Sequence, residues 1–152
     1  MSYRKLLLGA LGLAAAIQFV RPARTNPPTD PAKTVDAAAQ VPAGVSAMLQ
    51  RSCNDCHSNA TVWPWYSNVA PASWLLVNHV NNGRRHLSFS TWGDYSAKTR
   101  RSKLEHICEH VKEGEMPMSS YVLIHTAAAL SPADVQSICG WTEAESARTP
   151  AE

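Results

Sequence analysis

The sequence predicts an all-α protein. Apolar residues recur at three- and four-residue spacing in several separate stretches, and nowhere does the chain sustain the apolar–polar alternation of a strand. Helix punctuation agrees: serine and proline stand where the periodic stretches begin, and glycine where they end.

The first element is an apolar run. Met1 to Lys5 is short and basic, and Leu6 to Val20 is apolar apart from Gln18. Residues 1–20 therefore read as a membrane anchor or signal segment. No small-x-small cleavage site follows Val20, so the reading favours an uncleaved anchor over a cleaved signal peptide. Fifteen helical residues cover only about 22 Å of a hydrocarbon core of about 30 Å. Snorkelling of Lys5 and Arg21 would have to cover the rest. Residues 21–41 contain Pro22, Pro27, Pro28 and Pro31 without an apolar period, and read as an extended tether.

Residues 42–145 carry the helical pattern of a folded domain. Val45, Met48 and Leu49 form an apolar face that leads into Cys53, with Pro42 suited to the first turn. A proline-punctuated loop follows, with Trp63-Pro64-Trp65-Tyr66 and Ala70-Pro71-Ala72. Ser73 is positioned to cap a second helix bearing Trp74, Leu75, Val77 and Val80, closed by Gly83. After a short turn at Ser90 to Tyr95, a third helix runs from about Ser96 to Glu113. It carries Leu104, Ile107, Cys108 and Val111 on one face and ends at Gly114. Ser131-Pro132-Ala133-Asp134 opens the last helix with a capping box and proline at its first position. Val135, Ile138 and Trp141 line that helix, and residues 146–152 read as a disordered tail.

The charge excludes a nucleic-acid binder. The formal charge is +2, but four basic residues flank the first apolar run, and beyond Arg24 ten basic residues face twelve acidic ones. No basic stripe with interleaved aromatics occurs.

Cys53-Asn54-Asp55-Cys56-His57 is the chemistry-bearing motif, because C-x-x-C-H is the attachment pattern of c-type haem. Two thiols three positions apart share one side of a helical turn and can each add across a porphyrin vinyl group. The adjacent imidazole then lies under the iron as its proximal ligand. A redox dithiol would require a βαβ context, and a zinc site a second ligand pair at short spacing. Neither is present. One covalent haem c is the cofactor this predicts, held by Cys53, Cys56 and His57.

Met116, in the Gly114-Glu115-Met116-Pro117 loop, is the first candidate for the sixth ligand, since a thioether suits low-spin iron. Met118 and His125 are the alternatives. His79 reads as a polar contact near the cofactor. His106 and His110 have the spacing of a metal pair but alternate with glutamates, and read as a solvated face. Trp63, Trp65 and Tyr66 have polar tips able to bond haem propionates, and Arg84 or Arg85 could neutralise them. Cys108 and Cys139, each on an apolar helix stripe, are expected to form a disulfide in an oxidising compartment.

Taken in order, these segments resemble the bacterial haem-binding-domain family of small monohaem c-type cytochromes. The resemblance rests on Ser52 to Asn59, Trp63 to Ser67, Ala70 to Leu75, Phe89 to Trp92, Gly114 to Pro117, and Tyr121 with His125. It spans the chain from Phe19 to Trp141. It implies one haem, His57 as axial ligand and a cytochrome c-like helical fold.

The expected function is single-electron transfer to or from a redox partner protein in the periplasm, from an anchor in the inner membrane. This is a carrier rather than an enzyme. A haem enzyme or gas sensor with an open sixth site is the rival, and a structural zinc module a distant third.

Overall fold

Ser131 opens the C-terminal helix as its sequence predicts: its hydroxyl accepts from the Asp134 amide, and the Asp134 carboxylate accepts from the Ser131 amide. Ser96 caps its helix through the Thr99 amide. Gly114, at φ 71°, supplies the left-handed residue that ends that helix. The computed structural model describes residues 2–150. Its α-helices are α1 (Tyr3–Ala16), α2 (Val35–Ala38), α3 (Ala43–Ser52), α4 (Asn54–His57), α5 (Ala72–His86), α6 (Ala97–Lys112), α7 (Ser119–Val122) and α8 (Pro132–Arg148). Short 3-10 turns join them, and among the described residues there is no strand.

Helices α3, α6 and α8 bury their predicted faces together. Val45, Leu49, Leu104, Ile107, Val111, Ile138 and Trp141 meet Phe89 and Trp92 from the 3-10 turn Phe89–Asp94. Full burial of side chains of this size contributes about 1.5–3 kcal/mol each. Cys108 and Cys139 join α6 to α8 by the expected disulfide, closing a loop with a sequence separation of 31. A loop of that length constrains the unfolded chain by about 3–4 kcal/mol on the entropy model.

Three expectations are corrected. Residues 21–41 are extended over much of their length, but they are a strap docked on the domain rather than a free tether. Val35 and Ala39 are buried in the core. Asn26 donates to the Thr61 carbonyl, Lys33 pairs with Asp94 at 2.7 Å, and Gln40 bonds Glu145 at the end of α8. The prolines fix the strap's direction and have no N–H to donate, so the Asn26 and Lys33 side chains and the Gln40 amide supply the donors that dock it.

The second helix starts and ends elsewhere than expected. Pro71, not Ser73, precedes α5, and Gly83 lies inside it. A Cβ at position 83 would stand 2.5 Å from the Cys56 carbonyl oxygen, so this glycine lets α5 and α4 approach closely rather than ending a helix. The third correction is at the C-terminus: α8 continues to Arg148, where the guanidinium bonds Glu145. Only residues 151 and 152 of the expected tail lie outside the described residues. The N-terminal apolar helix is short, as its sequence indicates: α1 has 14 residues, and no helix among the described residues is long and apolar enough to cross a membrane.

Candidate functional site

The C-x-x-C-H motif forms the single-turn helix α4, which follows directly on α3. It is tied down by the loop that follows it. Thr61 Oγ1 donates to the Asp55 carbonyl at 2.7 Å, and the Val62 amide donates to Asp55 Oδ1 at 2.9 Å. The helix forms one wall of a cavity of about 670 Å³ whose lining includes Cys53, Cys56, His57, Gly83, Leu87 and Phe89. That volume lies in the range of small-molecule and cofactor sites.

The donors on this wall are set for one chemistry. His57 Nδ1 lies 3.1 Å from the Leu87 carbonyl oxygen. A carbonyl can only accept, so this contact puts the proton on Nδ1 and leaves Nε2 with a free lone pair. Burial holds the imidazole below its ordinary pKa, opposed by the Leu87 contact, and the ring is neutral at pH 7. Phe89 packs beside it, ring centroids 6.2 Å apart. Burial also pushes the Cys53 thiol up to about 12 and the Cys56 thiol up to about 11. Exchange-active dithiols have the opposite shift.

Met116 lines the same cavity. Its loop is anchored on the end of α6, because the amides of Glu115 and Met116 both donate to the His110 carbonyl, at 3.0 and 3.1 Å. Pro117 and Met118 follow on the lining. His125, the other candidate, does not line this cavity: its Nε2 is 2.7 Å from the Tyr66 hydroxyl, and its ring stacks on Tyr121 at 4.4 Å.

The expected propionate contacts are placed differently. Trp63, Trp65, Tyr66, Arg84 and Arg85 do not line the cavity. Arg84 is engaged elsewhere: it donates to the carbonyls of Ser58 and Thr25, to Asn26 Oδ1 and to Thr61 Oγ1. Trp63 Nε1 donates to Asn26 as well. Both residues therefore hold the strap against the motif loop. Trp65 is 78% exposed.

The polar rim is instead made by α5 and α6. His79, Asn82 and His86 come from the first, and Ser102, Lys103, His106 and His110 from the second. His106 and His110 were expected on a solvated face. They are half-exposed, with Glu109 and Glu115 as partners, but they also border the cavity. Sequence spacing placed them opposite Leu104 and Val111, but they share the cavity with Ile107 and Val111. It could not show that α6 stands at the cavity edge. Tyr121 was the other omission as a cavity residue. It lines the cavity and donates to Asp55 Oδ2 at 2.7 Å.

The residues fit a haem of the c type: two protonated thiols three positions apart, a neutral imidazole with Nε2 free, a thioether on the same cavity and a largely apolar lining. A helical domain of this kind is a haem-binding domain by its donor set. A family model described as a haem-binding domain matches residues 12–144, and the chain belongs to that family. The match begins ahead of the strap, in keeping with the strap's place in the fold. No curated protein and no solved structure matches the chain.

Proposed function

We propose that this chain is a monohaem c-type cytochrome that carries single electrons on the non-cytosolic side of a bacterial membrane. The observation that supports this best is the shared cavity of Cys53, Cys56, His57 and Met116, with the His57 ring already turned by Leu87. The bound haem supplies an iron that alternates between Fe(II) and Fe(III). Cys53 and Cys56 would hold it by thioether bonds, the sulfur of each thiol going to one vinyl carbon and its hydrogen to the other. His57 Nε2 and Met116 Sδ would be the donors this chain offers to the iron. With both donors engaged, the protein would not need to rearrange between oxidation states, and small molecules would be kept off the metal.

A carrier is favoured over a haem enzyme because the chain offers a thioether for the sixth position, and His125 is tied to Tyr66. The N-terminal apolar segment, with Arg4 and Lys5 before it, supports export and membrane attachment in the inner membrane, with the haem domain in the periplasm. The physiological partner is a redox protein on the same side.

The test is direct. Protein made with a haem-attachment system should gain the mass of one haem, resist acid–organic extraction and give a low-spin spectrum in both oxidation states. Carbon monoxide should leave the reduced spectrum unchanged. An extractable haem would overturn the c-type assignment, and ready carbon monoxide binding would point to the gas-binding or catalytic reading instead.

A further inference from the structure

Gln18 is the one polar residue in the apolar run from Leu6 to Val20, and its side chain explains its presence. Its Nε2 donates to the Ala70 carbonyl at 3.1 Å, and its Oε1 accepts from the Ala70 amide at 2.9 Å. The same Nε2 also bonds the Ala14 carbonyl in the last turn of α1. The amide thus clasps one residue of the domain from both sides and ties it to the end of the apolar helix. Two further bonds brace the joint. Trp74 Nε1 donates to the Val20 carbonyl at 2.7 Å, and Arg24 donates to Ser67 at 3.0 Å and also to Asn68.

Helix α1 has no buried residue: Leu6, Leu7, Leu8, Leu11 and Leu13 are all more than half exposed. A helix apolar on all sides is stable only in an apolar medium. Where the joint meets the domain, Val69, Trp74 and Leu75 continue the apolar surface, 44%, 36% and 59% exposed. Tryptophan is the residue type favoured at the boundary of lipid and water, and Arg21 and Arg24 sit at the same level of the chain.

We infer that the corner formed by Val69, Trp74 and Leu75 rests on the lipid bilayer into which α1 inserts, and that the Gln18–Ala70 clasp fixes the orientation of the cavity relative to that surface. The inference rests on the membrane attachment proposed above. Helix α5 carries both surfaces, with Trp74 and Leu75 near its start and His79, Asn82, Gly83 and His86 on the cavity. A domain clasped in this way presents one fixed side to partners in the same membrane, where a free tether would let it tumble.

The test uses introduced thiols. In the haem-loaded chain Cys53 and Cys56 are thioethers and Cys108 is bonded to Cys139, so an added cysteine is the only free one. Leu75→Cys, Val69→Cys and, on exposed α8, Ala144→Cys would be labelled with a membrane-impermeant maleimide. Labelling would be done with and without vesicles of phosphatidylethanolamine and phosphatidylglycerol, with flotation reporting binding and the optical spectrum reporting the folded haem domain. The expected result is flotation, with labelling slowed severalfold at positions 69 and 75 and unchanged at 144. In the Leu75→Cys background, Gln18→Ala should still float but lose the protection, and Trp74→Phe should lose it in part. Flotation without protection at 69 and 75, or protection that survives Gln18→Ala, would overturn this inference while sparing the attachment. Failure to float, or a mature chain that begins beyond Gln18, would overturn both.

Discussion

The Tyr121 hydroxyl donates to the Asp55 carboxylate at 2.7 Å, joining the segment after the Met116 loop to the middle of the C-x-x-C-H motif. The two residues are 66 positions apart. Burial, then the bond and charge of Asp55, push the phenol well above its ordinary pKa, so it remains a donor across the whole working range. The other Asp55 oxygen holds the Val62 amide. One carboxylate thus ties together the haem-motif helix, the loop after it and the segment bearing the candidate sixth ligand.

Tyr121→Phe keeps the ring and its stack on His125 but leaves Asp55 Oδ2 without its donor. Loss of one bond to a partly buried charged group is expected to lower stability by about 1–3 kcal/mol. The segment after Met116 would also loosen, so the reduced protein should bind carbon monoxide more readily than wild type. Denaturant unfolding and a carbon monoxide titration measure the two effects. A stability loss with no change in the titration would mean that the bond holds the fold without positioning the ligand.

Glycines 83 and 140 are both inside helices, yet alanine should act on them with opposite sign. At Gly83 the new Cβ would lie 2.5 Å from the Cys56 carbonyl oxygen, a backbone atom that α4 cannot easily move. Overpacking of this kind costs about 1–3 kcal/mol, and here it displaces the turn that carries Cys56. Gly83→Ala should therefore unfold earlier and load less haem. A Cβ at Gly140 meets nothing within 4 Å. There alanine should stabilise by up to about 1 kcal/mol through helix propensity, with haem loading unchanged. Thermal melts and haem-to-protein ratios of the two variants test this.

The N-terminus of α8 should depend on pH through Asp134. Its carboxyl is held below the usual range by the Ser131 amide and hydroxyl and by Arg51, 2.9 Å away. A carboxyl with a lowered folded pKa stabilises fully above its unfolded value, about 3.9, and the stabilisation is lost as pH falls through the lower folded value. Wild type should therefore melt above Asp134→Asn by a constant margin from pH about 7 to about 5. The margin should shrink below pH about 4. A margin that does not change with pH would show that the charge of Asp134 does not set the stability of this cap.

The helices with caps and long apolar stripes, α6 and α8, were legible in the sequence, and so was the pairing of Cys108 with Cys139 between those stripes. The C-x-x-C-H motif was legible because it lies within five consecutive residues. What spacing could not reveal were contacts across the chain. Arg84 and Trp63 look like anion contacts until Asn26, in the strap, is found to take both. The strap looked free because its prolines hide a core of only Val35 and Ala39. Gly83 looked like a helix end, since a glycine that permits close approach has no separate signature in one dimension.

Met116 is the residue on which the proposed carrier function turns. Gly114 ends α6 with its positive φ, and the next two amides fold back onto the His110 carbonyl, so the loop's path is set by the helix end. Pro117, with no N–H and a fixed φ, stiffens the next step. The Met116 side chain is 37% exposed at the cavity, a high value for a methionine placed only for packing. Met118 shares the lining, so the two must be tested side by side. Met116→Ala should lower the reduction potential, because a thioether favours Fe(II), and should open the iron to carbon monoxide. The weak long-wavelength band of methionine-ligated Fe(III) should disappear with it. Met118→Ala should keep the band and the potential close to wild type. If the band instead survives in Met116→Ala and is lost in Met118→Ala, the sixth ligand is Met118 and the Met116 loop only supports it.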